Sequence, residues 1–411
     1  MVITCGILWL LTYANWSLFR DALYPAFIQS CIWAGVTTLF VTAPDYGPVT
    51  STTCIVIALG SITFSIVSWF CTLGHSPNQG RCWPSKQPSG LRPLLVILVP
   101  IALLPFFVHT AMAIAQGGLT DSLFVSLRNQ LGTEEASLGH FDLAMKLSFA
   151  AVGIAMLRFY GTRQHRRSWF CAAALTLAVA LIYAILFTGR NFVLFACLVA
   201  LGVPLILRAI STKRTIVALI LLVLSLFAAY AVILDHANVA ELSTGESVKP
   251  LWDLVTLYAA GPIAAFDILV RQPHHCEWGI NSFRNIVLWL NEFGWHLELR
   301  PIVQEFVDVG NSGWQTNIYT VYQPVYLDFG IVGVVIFQIF AAAWHSHLWL
   351  KATEPRPNSG YVLLYALFLL PLAMQVEVDY YLTIVSQWLF LVSVVLFACA
   401  FPPQGAELPA S

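Results

Sequence analysis

The sequence predicts an all-α polytopic membrane protein of about eleven transmembrane helices, with one large late loop outside the bilayer. Three observations lead there. Of 411 residues, 58% are hydrophobic and 10% charged, with a mean hydropathy of +0.76. Soluble domains carry roughly 25% charged residues, and one aqueous core cannot hide so much apolar sequence. Apolar runs long enough to span recur along the chain, and Lys and Arg gather in alternate loops.

The runs fall at about 2–19, 24–43, 51–73, 93–115, 140–160, 169–187, 191–208, 215–234, 322–350, 359–377 and 380–401. The run at 191–208 is short and reads as partly re-entrant. Three regions follow: an N-terminal bundle over 1–234, a large loop over 235–320 and a C-terminal set of helices over 321–411. Lys146 lies inside the fifth of these runs.

Orientation comes from the basic residues of the short loops. Arg20, Arg81, Lys86, Arg92, Arg163, Arg166, Arg167, Lys213, Arg214, Lys351 and Arg356 share one side, with Arg158 and Arg208 at adjoining helix ends. That is thirteen of twenty basic residues, so this side is expected in the cytoplasm. The loops at 44–50, 116–139, 188–190 and 235–320 then lie outside, as does the N-terminus. The opening run lacks a basic n-region and a small-residue cleavage site, so it is not read as a signal peptide.

Several chemistries are excluded or thinly supported. No phosphate-binding GxGxxG or Walker loop and no HExxH is present, which argues against ATP-driven transport by this chain alone. Of nine cysteines only Cys276 falls clearly outside, so no disulfide framework is expected. His274, His275 and Cys276 lack a fourth ligand at sensible spacing, and no metal is expected. Asp45, alone in the first external loop, reads as a turn residue.

The large loop holds most of the remaining chemistry. Its early part, "LWDLVTLYAAGPIAAFDILV" (251–270), is too apolar for a free loop and is interrupted by Gly261-Pro262. It reads as two short helices lying on the membrane surface, with Trp252, Tyr258 and Phe266 at the interface. Its later part sets Arg271, Arg284, His296, Glu298, Arg300, Glu305 and Asp308 among Trp278, Trp289, Trp295 and Trp314. Each charge alone is an ordinary loop residue. Together with the indoles, they offer flat stacking faces and paired donors and acceptors, which sugars require.

Two further stretches stand out. "TGR" (188–190) puts an arginine at the external surface between apolar helices. Snorkelling accounts for it, and so does bidentate binding of a lipid-linked diphosphate. "TNIYTVYQPVYLDFG" (316–330) crowds the entrance of a spanning helix with polar groups. Pro324 suits the first turn. Tyr319, Tyr322 and Tyr326 would share a face if the helix began early, or would form an interfacial aromatic belt. Asp328 lies a turn inside, where an unpaired carboxylate in lipid costs ~2.5–3.5 kcal/mol. It should face a polar cavity or pair with an arginine, and Gly330 and Gly333 would admit a close neighbouring helix.

Thr188-Gly189-Arg190, "YAAGPIAAF" (258–266), "GINSF" (279–283) and "TNIYTVYQPVYLDFG", in this order and spacing, resemble the Wzy-type oligosaccharide repeat-unit polymerases of bacterial surface glycans. The resemblance covers roughly 180–335. It implies a GT-C-like glycosyltransferase of the bacterial inner membrane with its active site facing the periplasm. The implied reaction moves a glycan from one undecaprenyl diphosphate onto the repeat unit carried by another. Such enzymes take no nucleotide sugar and usually no metal, so no cofactor is expected. The implied partners are the lipid-linked donor and acceptor, the bilayer and a chain-length regulator, with no nucleic acid. On this resemblance Arg190 binds the donor diphosphate, with Arg284 and Arg300 as further external arginines. Asn317, Tyr319, Thr320 and Tyr326 line the site, and Asp328, His296, Glu298 and Asp308 are the candidate bases. An O-antigen ligase would use the same donor but is expected to carry a histidine-rich pair at the loop's end. A transporter or flippase would show paired halves and mid-span polar residues. The sequence shows no such histidine pair and no internal repeat, and its polar residues concentrate outside the spans, with Lys146 the main exception.

Overall fold

A computed structural model describes residues 1–43, 46–75, 82–84, 88–116, 126–127, 141–162, 165–187, 190–212, 251–272, 276–298, 306–310 and 314–399. The elements in chain order are α1 (Val2–Phe19), α2 (Pro25–Thr42), α3 (Ser51–Cys71), α4 (Leu91–Gln116), α5 (Phe141–Gly161) and α6 (Arg166–Leu186). Next come α7 (Arg190–Ile206), α8 (Leu251–Arg271), α9 (Arg284–Glu292), and a hairpin of β1 (Val307–Val309) and β2 (Trp314–Thr316). The chain continues with α10 (Tyr322–Ala352), α11 (Ser359–Ala373), a 3₁₀ turn (Met374–Val376) and α12 (Val385–Cys399). Eight of the described helical segments are long and apolar enough to cross a membrane, and α7 and α12 are shorter apolar helices. These ten match expected runs; the run at 215–234 lies outside the described residues.

The chain divides into two compact units, each drawn from separate stretches. Unit 1 combines Met1–Pro77, Ser247–Leu350 and Leu370–Trp388. Unit 2 combines Asn78–Glu246, Lys351–Leu369 and Leu389–Ser411.

In unit 2, α4 to α7 pack on one another. Gly202 lets α7 approach closely, because a Cβ there would sit 2.9 Å from Leu369 Cδ1. The intramembrane lysine has a local answer: Lys146 pairs with Asp142 one turn earlier in α5. Charge neutralised within a turn is far less costly in a bilayer than a lone cation. Basic residues at the helix ends lie over aromatic faces, Arg158 at 4.6 Å from the Trp169 ring and Arg166 at 5.3 Å from Phe159.

In unit 1, α1 to α3 form a bundle whose interior is polar in places. Asn15 Nδ2 donates to the Ala26 carbonyl and to Ser30 and Ser65, and its Oδ1 accepts from Trp69 Nε1 at 2.7 Å. Gln29 Nε2 donates to Ser61 Oγ at 3.1 Å. Such bonds bind helices in lipid, where burial of apolar surface supplies no drive between them. Asp21, buried after α1, accepts from Leu23 N and from Trp349 Nε1 of α10.

Helix α8 departs from expectation. It is one continuous helix of 21 residues through Gly261-Pro262, not two surface helices. Its stretch 260–267 is buried, and it packs against α2, α3 and the hairpin. A surface-lying helix would leave one face to lipid headgroups; α8 is enclosed by protein instead. Asp267 anchors it, accepting from Thr50 N, Thr50 Oγ1 and Thr53 Oγ1, each at 2.7 Å, and pairing with Arg271. Burial alone would raise this carboxyl, but the bonds from Thr50, Thr53 and Arg271 prevail and hold it below the usual carboxylate range.

Candidate functional site

Helix α10 is broken near its start. Gly330 adopts φ 63°, ψ −149°, a conformation that falls outside the helical region and is open mainly to glycine. The turns 322–329 and 331–352 are therefore separate helical segments that meet at a kink. Gly333 serves this kink rather than a neighbouring helix: a Cβ there would lie 2.4 Å from the Val325 carbonyl oxygen and 2.7 Å from Phe329 Cβ. The expectation that Gly330 and Gly333 admit another helix is corrected accordingly.

A kink in lipid strands backbone groups, and these must find other partners. In a continuous helix the Leu327 carbonyl would accept from residue 331. Here it accepts from Glu277 N at 3.2 Å. The loop that supplies this donor wraps the kink, with Gly279 at φ 95° and its Cα side against Phe329.

Asp328 is fully buried at the same point. Its Oδ1 accepts from Asn281 N at 3.2 Å and Asn281 Nδ2 at 2.8 Å, and its Oδ2 accepts from Ser282 N at 2.7 Å. The carboxylate is thus compensated by loop amides. Among the described residues its partners include no arginine, the pairing that the sequence offered. Asn281 Nδ2 also donates to Glu277 Oε2 at 2.7 Å. Glu277 is only partly buried, whereas Asp328 is fully buried.

The polar entrance of α10 is folded inward. Tyr319, Thr320 and Tyr326 are buried, Asn317 half-buried, and none of the tyrosines forms an exposed aromatic belt. Helix α10 starts at Tyr322, so Tyr319 precedes it, and Pro324 sits in the first turn where its missing N–H is harmless. Tyr326 meets Phe266 of α8 edge-on at 5.4 Å, and Tyr322 stacks on Trp33 at 5.2 Å. Gly261 lies 3.8 Å (from its ideal Cβ) from Thr316 Cγ2.

The other expected site residues scatter. Asp308 is exposed on β1 and accepts from Gln315 Nε2 at 2.9 Å. His296 and Glu298 are exposed in a turn held by Asn291, which bonds both the N–H and the carbonyl of Leu297. Arg284 opens α9 and is partly exposed. Arg190 opens α7, within unit 2. Arg300 lies outside the described residues, as do Thr188 and Gly189. No group of metal-ligating side chains is found among the described residues.

Sequence reasoning missed a second polar cluster inside unit 1. Val321 N donates to the Gln375 carbonyl, joining the start of α10 to the turn after α11. Gln375 Nε2 donates to Tyr381 Oη at 3.1 Å, which also meets His345 Nε2 at 2.9 Å. Gln338 Nε2 reaches Gln375 Oε1 at 3.4 Å. The Tyr322 hydroxyl faces Ser61 and Gln338 without bonding either in ordinary geometry. Asp379 caps this turn, accepting from the N–H groups of Tyr381, Leu382 and Thr383. Burial pushes its carboxyl up to about 6, against the pull of these three donors. The glutamines were legible as polar residues in apolar runs, but only three-dimensional packing brings them together.

These features define the class: a nearly all-helical, multi-pass membrane protein with a broken helix held by the loop 277–282. Against protein-family models, curated proteins and solved structures, the chain has no match.

Proposed function

We propose that this protein is a membrane glycosyltransferase that polymerises oligosaccharide repeat units carried on undecaprenyl diphosphate at the periplasmic face of the bacterial inner membrane. The reading comes from the sequence resemblance, and one observation supports it above others. Three of the four stretches that carry the resemblance, distant in sequence, pack together: Phe266 on Tyr326, and Asn281 and Ser282 on Asp328. Motifs that shared only hydropathy would have no reason to converge on one kink.

The arrangement suits glycosyl transfer with a lipid diphosphate as leaving group. Such a reaction asks for charge stabilisation at the leaving group and for alignment of the acceptor hydroxyl. In this reading Arg190 takes the diphosphate, with Arg284 and Arg300 as further external cations. Asp328, with both oxygens occupied by amide donors, acts as a positioning residue that fixes the loop 277–282. Glu277, the partly buried carboxylate of that cluster, joins Asp308, Glu298 and His296 as a candidate base.

Purified protein supplied with undecaprenyl-diphosphate-linked repeat units tests the proposal. Longer lipid-linked glycans, formed with release of undecaprenyl diphosphate and without added nucleotide sugar, are the expected result. Unchanged substrate, or transfer only onto a lipid A core acceptor, would overturn it, the latter in favour of a ligase.

A further inference from the structure

The segment from Trp278 to Trp295 exposes an unusual set of large apolar side chains. Trp278 is 83% exposed, Phe283 43%, Ile286 52%, Trp289 58%, Phe293 67% and Trp295 64%. Ile286, Trp289 and Phe293 follow a three- and four-residue spacing along α9 and its C-terminal cap, so they share one stripe. Trp289 and Phe293 touch edge-on at 5.0 Å. Other positions of the helix are fixed to the protein: Val287 is buried, and Asn285 Nδ2 donates to the Thr383 carbonyl at 2.8 Å.

The depth of this stripe is set by its attachments. Ahead of α9, Asn281 and Ser282 clamp Asp328 at the entrance of the spanning helix α10. From α9 itself, Asn285 reaches Thr383, two residues before the apolar helix α12. Helix α10 leaves this side and α11 returns to it, as the bond from Val321 N to the Gln375 carbonyl requires. Both anchor points are therefore ends of membrane helices on the same side. Nine residues of helix extend about 14 Å, far short of a span, so α9 does not cross the bilayer.

We infer that α9 and its flanks, Phe283 to Trp295, are an interfacial membrane anchor: Ile286, Trp289 and Phe293 enter the headgroup and upper acyl region of the lipid bilayer. Tryptophan and phenylalanine are the residue types that favour this zone, with an apolar body in the chains and, for indole, an N–H toward water. Arg284 and Glu292 stand at the two ends of the helix. The interfacial role expected for 251–270 thus falls on a segment some thirty residues later, because α8 is enclosed by protein. The inference rests on the placement of α9 and not on the reaction catalysed.

Spin labels attached through a keto amino acid at 289, 293 and, as a water-facing control, 298 test this without touching the native cysteines. The full-length protein is placed in phosphatidylethanolamine–phosphatidylglycerol vesicles, and collisions with oxygen and with an aqueous nickel chelate are compared. Labels at 289 and 293 should favour oxygen, and the label at 298 should favour nickel. Nickel-accessible labels at 289 and 293 would overturn the inference, and so would labels shielded from both reagents, which would mean a protein covers the stripe. Trp289→Phe provides a reading without a label. Its emission loss should remove a component quenched by brominated lipid and spared by aqueous iodide; a lost component quenched by iodide instead would refute the anchor.

Discussion

Replacing Asp328 by asparagine removes a charge and puts a donor into a shell made only of donors. The carboxylate accepts three hydrogen bonds, two at Oδ1 from Asn281 and one at Oδ2 from Ser282 N. The better asparagine orientation keeps both bonds from Asn281 and turns its NH₂ toward Ser282 N, 2.7 Å away in the native protein. One charge-assisted bond is lost, the remaining two weaken, and a buried N–H is left unsatisfied. Together these cost ~2–4 kcal/mol at the clamp. Hydrogen exchange of the 277–283 segment, in nanodiscs, reads that number directly. The amides of Asn281 and Ser282 should exchange roughly 30- to 1,000-fold faster in Asp328→Asn, while α5 and α6 are unchanged. Chain polymerisation should fall in parallel, because the loop carrying Glu277 is no longer fixed. Native protection of 277–283 together with abolished polymerisation would refute the reasoning, since Asp328 would then act on the substrate and not on the loop.

Gly330→Ala should lower the thermal midpoint of the detergent-purified protein, by strain of ~1–3 kcal/mol at its positive φ. Gly333→Ala should be more damaging, as its Cβ would stand 2.4 Å from the Val325 carbonyl oxygen. An unchanged midpoint in both would mean that the kink is absent. Arg190→Lys should express normally yet yield few long glycans, since a point charge cannot replace a planar fork on a diphosphate; a normal ladder on a gel would favour snorkelling. For Asp379 the folded carboxyl titrates at about 6 against an ordinary 3.8. A raised carboxyl contributes stability below the unfolded value, and that contribution is lost as pH rises through 6. It amounts to roughly 3 kcal/mol in full. Thermal midpoints scanned from pH 4 to 7 should therefore carry a downward component that Asp379→Asn removes; an identical profile in the variant would refute it.

The spanning helices were legible because length and hydropathy are properties of one segment at a time. Partnerships were not. Gly261-Pro262 reads as a break, yet α8, packed on α2, α3 and the hairpin, continues as one helix through a proline that lacks one backbone bond. The anchor of that helix, Asp267 with Thr50 and Thr53, joins residues more than 200 positions apart. Asp328 needs compensation, as its place in an apolar run shows, but two of its three donors are main-chain N–H groups, which no composition reveals. Glu277 passed unnoticed as one more loop carboxylate; its spacing of four residues before Asn281 was the available signal. Gly330 and Gly333 were correctly singled out and given the wrong use. In a membrane helix glycine serves either close packing or an unusual dihedral, and the sequence is the same for both.

Unit 1 is assembled from the beginning and the later part of the chain, and this sets a timetable for biogenesis. Helices α1 to α3 leave the ribosome roughly 250 residues before α10, which at 5–20 residues per second is an interval of roughly 12–50 s. During that wait their polar side chains sit in lipid without α8 or α10. Asn15 already finds Ala26, Ser30, Ser65 and Trp69 within the first three helices, and Gln29 finds Ser61. The early trio can therefore shelter its own amides as a stable intermediate. Asp21 and the Thr50–Thr53 turn stay incomplete until Trp349 and Asp267 arrive. Those two late-made junctions are where a nascent chain remains open to capture by a membrane chaperone or a quality-control protease.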